Sequence, residues 1–185
     1  MTMPESLAAI TADLGRPLPG DFHERLRARD RAAFEAGLKA LPGVVALLDR
    51  LAARAIPYCV ASSGSVEKMH HSLGLVGLLP RFVDHMFSAR MVGRGKPAPD
   101  LFLFAAEKMG ASPAGCLVIE DSVHGVTAAR AAGMRAIGFV GASHNGPEMG
   151  ALLMAADWSG DGVMDLLAAG TAAPEVGLMT GGCLP

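Results

Sequence analysis

Short apolar runs that end in small or acidic residues, each followed by a helical pattern, predict an α/β protein whose parallel sheet carries helices on both faces. The clearest is Cys116-Leu-Val-Ile-Glu120-Asp121-Ser122, an apolar run that meets two adjacent acids and then a helical stretch closed by Gly133. A second, Ile56-Pro-Tyr-Cys-Val-Ala61, ends in Ser62-Ser63-Gly64-Ser65 before the helical segment 66–75. Strand carboxyl ends in a parallel sheet share one edge, where ligands bind, so both turns are expected to face one crevice.

Taken in order, residues 4–41 read as helical and polar, with Phe34, Leu38 and Leu41 on one face and a break at Pro17–Asp21. Glu24, Arg25, Arg27, Arg29, Asp30 and Arg31 form a solvated charged face. After Pro42-Gly43, the spacing of Val44, Leu47, Leu48 and Leu51 is the apolar stripe of a helix lying on a sheet. Ser65 is placed to cap the helix that follows the first strand. Residues 83–89 predict a short strand. The loop Gly93–Asp100 launches a helix, with Pro99 at its first position and Phe102, Ala105, Ala106 and Met109 on its buried face. Gly110 to Gly115 breaks that helix, Gly133 is a left-handed cap, and residues 135–140 form the next strand. Asp157-Trp158 and a helix over 162–169 finish the pattern. The chain thus divides into a helical section over 1–40, an α/β core over 41–169 and a loose tail over 170–185.

Composition narrows the function. The formal net charge is −2 with both signs interspersed, which gives no basic face for nucleic acid or an anionic membrane. Although 51% of residues are hydrophobic, no apolar run approaches the roughly 20 residues of a membrane span. The opening residues lack the basic region and apolar core of a secretory signal, so a cytoplasmic protein is expected. Cys59 and Cys116 lie in strand-like runs and Cys183 near a Gly-rich end, with no metal-site or disulfide spacing. His70, His71 and His85 are expected on solvated faces, His124 on a helix surface, and Ser143-His144-Asn145 in a loop.

The chemistry gathers at strand ends. The turn Ser62-Ser63-Gly64 offers hydroxyl and backbone N–H donors at a helix start, suited to an anion such as phosphate. Lys96 adds a compact positive charge for the same anion. Glu120 and Asp121 are hard oxygen donors of the kind Mg²⁺ accepts alongside water and phosphate. Each feature alone is common on protein surfaces; the combination in this order is specific.

In its motifs the sequence resembles the haloacid dehalogenase-like hydrolases, in the branch of β-phosphoglucomutase, phosphoglycolate phosphatase and small sugar-phosphate phosphatases. The resemblance runs from about Leu41 to Val140. It rests on Val60-Ala-Ser62-Ser-Gly, on Gly95-Lys96-Pro97-Ala-Pro99-Asp100, and on Ile119-Glu120-Asp121-Ser122-Val-His-Gly125 with Ala131-Ala-Gly133. Lys68-Met-His-His-Ser72-Leu-Gly looks most like phosphatases of sugar or sugar-acid phosphates. The resemblance implies a Rossmann-like core. It also implies that Ser62 binds phosphoryl oxygens and Lys96 neutralises the phosphate, and that Glu120 and Asp121 hold Mg²⁺ directly or through water. The reaction implied is hydrolysis of a small phosphorylated metabolite through an aspartyl-phosphate. A phosphomutase of the same family, or an inactive protein that binds an anion or a partner, is the alternative.

One part of the pattern is absent. The family's first strand ends in Asp-x-Asp-Gly-Thr, whose first Asp is the nucleophile, and it lies between the strands that end at Ser62 and at Glu120-Asp121. Asp13, Asp21, Asp30 and Asp49, the aspartates before Ser62, follow no strand-like run. The expectation is a core without its first central strand. The first forty residues then read as the end of a helical cap, with the missing segment lying upstream.

Overall fold

The computed structural model describes residues 3–139 and 177–181. Among the described residues the α-helices and strands are, in order, α1 (Met3–Leu14), α2 (Phe22–Gly37), α3 (Val44–Ala53), β1 (Tyr58–Ser62), α4 (Val66–Leu75), β2 (Met86–Ser88), α5 (Asp100–Lys108), β3 (Cys116–Glu120), α6 (Val123–Ala131), β4 (Arg135–Gly138) and β5 (Gly177–Gly181). The predicted expectations for residues 143–145, 157–158 and 162–169 lie outside the described residues.

The strands form one sheet in the order β2-β1-β5-β3-β4. β1 pairs with β2, and β3 with β4, in parallel. Alternation along β1 sends Cys59 and Ala61 to one face and Val60 to the other. On the first face, Leu101, Phe102, Ala105 and Ala106 of α5 and Ala128 and Ala129 of α6 pack against Cys116 and Val118 of β3. On the second, Leu48 of α3 and Met69 and Leu73 of α4 close over Val60 and Phe82. Full burial of a side chain such as Phe102 contributes about 1.5–3 kcal/mol, which is why these stripes anchor the helices to the sheet. Burial also pushes the Cys116 thiol above its ordinary pKa, as befits an inert core cysteine.

The centre of the sheet corrects the sequence expectation. Residues 170–185 were expected to form a loose tail, yet Gly177–Gly181 is a strand within that segment. It fills the slot expected to lie empty for want of the first strand. β5 runs antiparallel to both neighbours, with Gly177 opposite Ala61 of β1 and Leu178 opposite Ile119 of β3. The physical reason lies in those neighbours: β1 and β3 are buried strands whose inward backbone groups need partners, and an extended segment satisfies them whatever its direction.

Smaller differences follow from local backbone chemistry. α2 stops at Gly37 and Leu38 turns extended, so Leu38 and Leu41 lie beyond the helix whose face they were expected to share. The strand expected over 83–89 shortens to Met86–Ser88 because His85 closes a turn onto the Phe82 carbonyl. Pro99 caps α5 rather than opening it. Gly133 has φ +72°, the left-handed conformation expected of it.

α2 buries no residue and meets α4 through charge. Asp30 pairs with Lys68 and Arg31 with Glu67, each at 3.5 Å, and Glu35 approaches His71 at 3.6 Å. The face expected to be solvated therefore partly serves as a contact, and His71 Nε2 is buried beneath it. His85 and His124 are exposed. Among the described residues no helix is long and apolar enough to cross a membrane.

Candidate functional site

The first component is the turn after β1. Ser62 is buried, and its Oγ accepts the Gly64 N–H at 3.0 Å, curling the chain back towards the start of α4. Ser65 caps α4 by accepting the Lys68 N–H at 3.2 Å, leaving the positive end of the helix dipole beside the turn. Ser88, at the end of neighbouring β2 and opposite Ser62 in register, donates to the Gly64 carbonyl at 2.7 Å. That brace holds Ser62, Ser63 and Gly64 in one conformation.

The second component is the loop before α5. Arg94 clasps Asp100 through two hydrogen bonds of 3.0 and 2.9 Å, closing the loop at its base. The hydrogen bond from Arg94 holds the Asp100 carboxyl below its usual pKa, and Asp100 in turn raises that of Arg94. At the loop's inner end Lys96 is only 7% exposed. Its Nζ lies 4.9 Å from the Phe102 ring centroid, donates to the Ala61 carbonyl at 3.3 Å, and is hydrogen-bonded to Glu120 Oε1. Lys96 thus ties the end of β1 to the end of β3 across the carboxyl end of the central slot.

The third component is the turn from β3 into α6. Glu120 is 2% exposed, which demands compensation for its charge. Lys96 supplies it at Oε1. Oε2 accepts the backbone N–H of Asp121 at 3.0 Å, the N–H of Ser122 at 3.1 Å and the Ser122 hydroxyl at 2.9 Å. Ser122 Oγ also accepts the Gly125 N–H at 3.0 Å and so caps α6. Asp121, buried at the same turn, completes the acidic pair.

The structure therefore brings every residue singled out from the sequence, Ser62, Ser63, Gly64, Lys96, Glu120 and Asp121, to the carboxyl edge of one sheet. Three residues there have no role in the sequence reading. Ser88 ends a strand too short to announce itself, although its place after Met86-Phe87 parallels that of Ser62 at the end of β1. Ser122 and Gly125 enter that reading only as parts of a motif. Among the described residues no three or more His, Cys, Asp or Glu side chains gather to form a metal cage. Mg²⁺ takes one or two protein acids beside water and phosphate oxygens, and the Asp121 carboxylate fits that part, whereas both oxygens of Glu120 are engaged by Lys96 and by the donors of residues 121 and 122. No carboxylate comes from β5, whose sequence is Gly-Leu-Met-Thr-Gly.

The family model for haloacid dehalogenase-like hydrolases matches residues 5–133. The chain belongs to that family. It is 37% identical to 6-phosphogluconate phosphatase of Escherichia coli over 121 residues, 65% of this chain and 53% of that protein. This likeness sits in the branch of β-phosphoglucomutases and sugar-phosphate phosphatases. A haloacid dehalogenase-like protein of unknown function from Agrobacterium tumefaciens superposes with a TM-score of 0.70 at 38% identity, covering 86% of this chain and 71% of that one. A family hydrolase from Deinococcus radiodurans, solved with bound phosphate and sodium, superposes with a TM-score of 0.62 at 31% identity, covering 94% and 72%. The chain spans about half the length of the curated relatives it matches.

Proposed function

We propose that the carboxyl edge of this sheet binds the phosphoryl group of a small sugar or sugar-acid phosphate and belongs to a Mg²⁺-dependent phosphatase. The observation that carries the reading is the placement of Lys96, a buried cation held between the end of β1 and the end of β3, beside the Ser62 turn and the Glu120-Asp121 pair. Ser62 and the N–H groups of its turn orient the phosphoryl oxygens, and Lys96 offsets their charge. Asp121 would hold Mg²⁺, which would supply charge neutralisation and alignment of the phosphoryl group, with Glu120 beside it holding Lys96. The 6-phosphogluconate phosphatase relative and the phosphate-bound structural neighbour support this choice of ligand.

Turnover needs a further group. In the reaction implied by the family, an aspartate oxygen displaces the alcohol from phosphorus and water then cleaves the aspartyl-phosphate. The 185 residues contain no Asp-x-Asp-Gly-Thr, and this favours a second reading in which the chain binds phosphorylated ligands without rapid hydrolysis. Phosphate release from 6-phosphogluconate and from an aryl phosphate, measured with Mg²⁺ present, separates the two. The account expects release near the buffer rate, while 6-phosphogluconate raises the thermal midpoint by about 2–5 °C only when Mg²⁺ is added. Robust release would show that the chain carries a nucleophile outside that motif. The absence of any ligand-induced shift would overturn the phosphate-binding reading itself.

A further inference from the structure

We infer that Ser122 and Gly125 are positioning residues for Lys96, acting through Glu120. The inference deepens the proposed phosphoryl site, and it rests on that reading only for the purpose Lys96 serves.

Gly125 lies in the first turn of α6, where glycine costs helix stability relative to alanine. Capping does not explain its presence, because its N–H bonds to Ser122 Oγ, and any residue but proline has that N–H. What requires glycine is the Glu120 carboxylate. A Cβ built on Gly125 would overlap Glu120 Cδ and both carboxylate oxygens, so the side chain of Glu120 occupies the space that glycine leaves open.

Ser122 closes the other side. Its hydroxyl donates to Glu120 Oε2 while accepting the Gly125 N–H, so one oxygen both starts α6 and clamps the carboxylate against it. With Oε2 held by three donors from residues 121 and 122, Oε1 points to Lys96. Lys96 reaches the Ala61 carbonyl next to Ser62 from that anchored position. The chain of causes runs from Gly125 and Ser122 to Glu120, from Glu120 to Lys96, and from Lys96 to the phosphoryl turn. Glu120 is in this account the anchor of the cation, which leaves Asp121 as the acid of the pair that would meet Mg²⁺.

Pulse acetylation of the full chain, read by mass spectrometry, reports the position of Lys96 without reference to activity. The sequence provides internal standards in Lys39, Lys68 and Lys108, all exposed where Lys96 is buried. In the wild type Lys96 is expected to label slowest. Ser122→Ala, which deletes one oxygen, and Gly125→Ala are each expected to speed Lys96 labelling about tenfold relative to the other three lysines, the scale of losing one charge-assisted hydrogen bond. Ser122→Thr, which keeps the hydroxyl, is expected to retain slow labelling. In a Glu120→Gln background Ser122→Ala should add little, because the two act along one path. Lys96 as protected in Ser122→Ala as in the wild type would overturn the inference, as would additivity of Ser122→Ala with Glu120→Gln. Failure to bind phosphate would instead sink the proposed function and leave these labelling ratios untouched.

Discussion

β1 and β3 each face a parallel partner on one side and β5 on the other, and the two sides differ in what they contribute. The flanks carry the polar groups of the edge: Ser62 and Ser88 end β1 and β2, and Glu120 ends β3. The central strand is antiparallel and places Gly177 at that edge, so what it contributes there is backbone pairing. Lys96 joins the flanks across the end of the slot that β5 fills. The difference teaches that binding chemistry and sheet continuity rest on different segments of the chain, and each can be broken without removing the residues of the other.

The largest effect is expected at the tie between the flanks. Lys96→Ala leaves Glu120 buried beside no counter-charge and should lower unfolding free energy by about 3–5 kcal/mol in urea titrations. A loss under about 1 kcal/mol would mean that the pair is not sealed from water. Next comes the centre: Met179→Pro removes a donor from a strand paired on both sides and should cost about 2–3 kcal/mol. Near-neutral behaviour would show that β5 is not part of the continuous ladder. Ser65→Ala deletes a helix cap on one flank and should cost about 1 kcal/mol, with the central strand undisturbed as judged by amide hydrogen exchange.

The smallest effect concerns the loop that carries Lys96. Arg94 lowers the Asp100 carboxyl below its reference value of 3.8, so the stability from this pair is present above that value. It is lost as pH falls through the depressed folded pKa. Urea midpoints taken between pH 5 and pH 2 should therefore drop slightly more for the wild type than for Asp100→Asn. Equal slopes would show that the clasp does not constrain the loop.

The flanks were legible in the sequence because their signals are local. Apolar runs of four or five residues ending in Ser62 or Glu120, helix stripes such as Leu47, Leu48 and Leu51, and the cap at Ser65 all read out over short windows. The gathering of Ser62, Lys96 and the two acids followed from a rule of topology, that parallel strands share a carboxyl edge. β5 was not legible because nothing local distinguishes Leu178-Met179 between glycines from a tail. Its strand character comes from the unsatisfied backbones of β1 and β3, more than fifty residues upstream. Gly125 was obscure for a similar reason, since the space it leaves is visible only once Glu120 is packed beside it.

The central claim, a phosphate site organised around Lys96, is tested most directly by calorimetric titration of the full chain with inorganic phosphate, with and without Mg²⁺. The account predicts binding that Mg²⁺ strengthens and that Lys96→Met, which keeps the length of the side chain and removes its charge, weakens at least about tenfold. Equal affinity in the wild type and Lys96→Met, or no binding by the wild type with Mg²⁺ present, would contradict it.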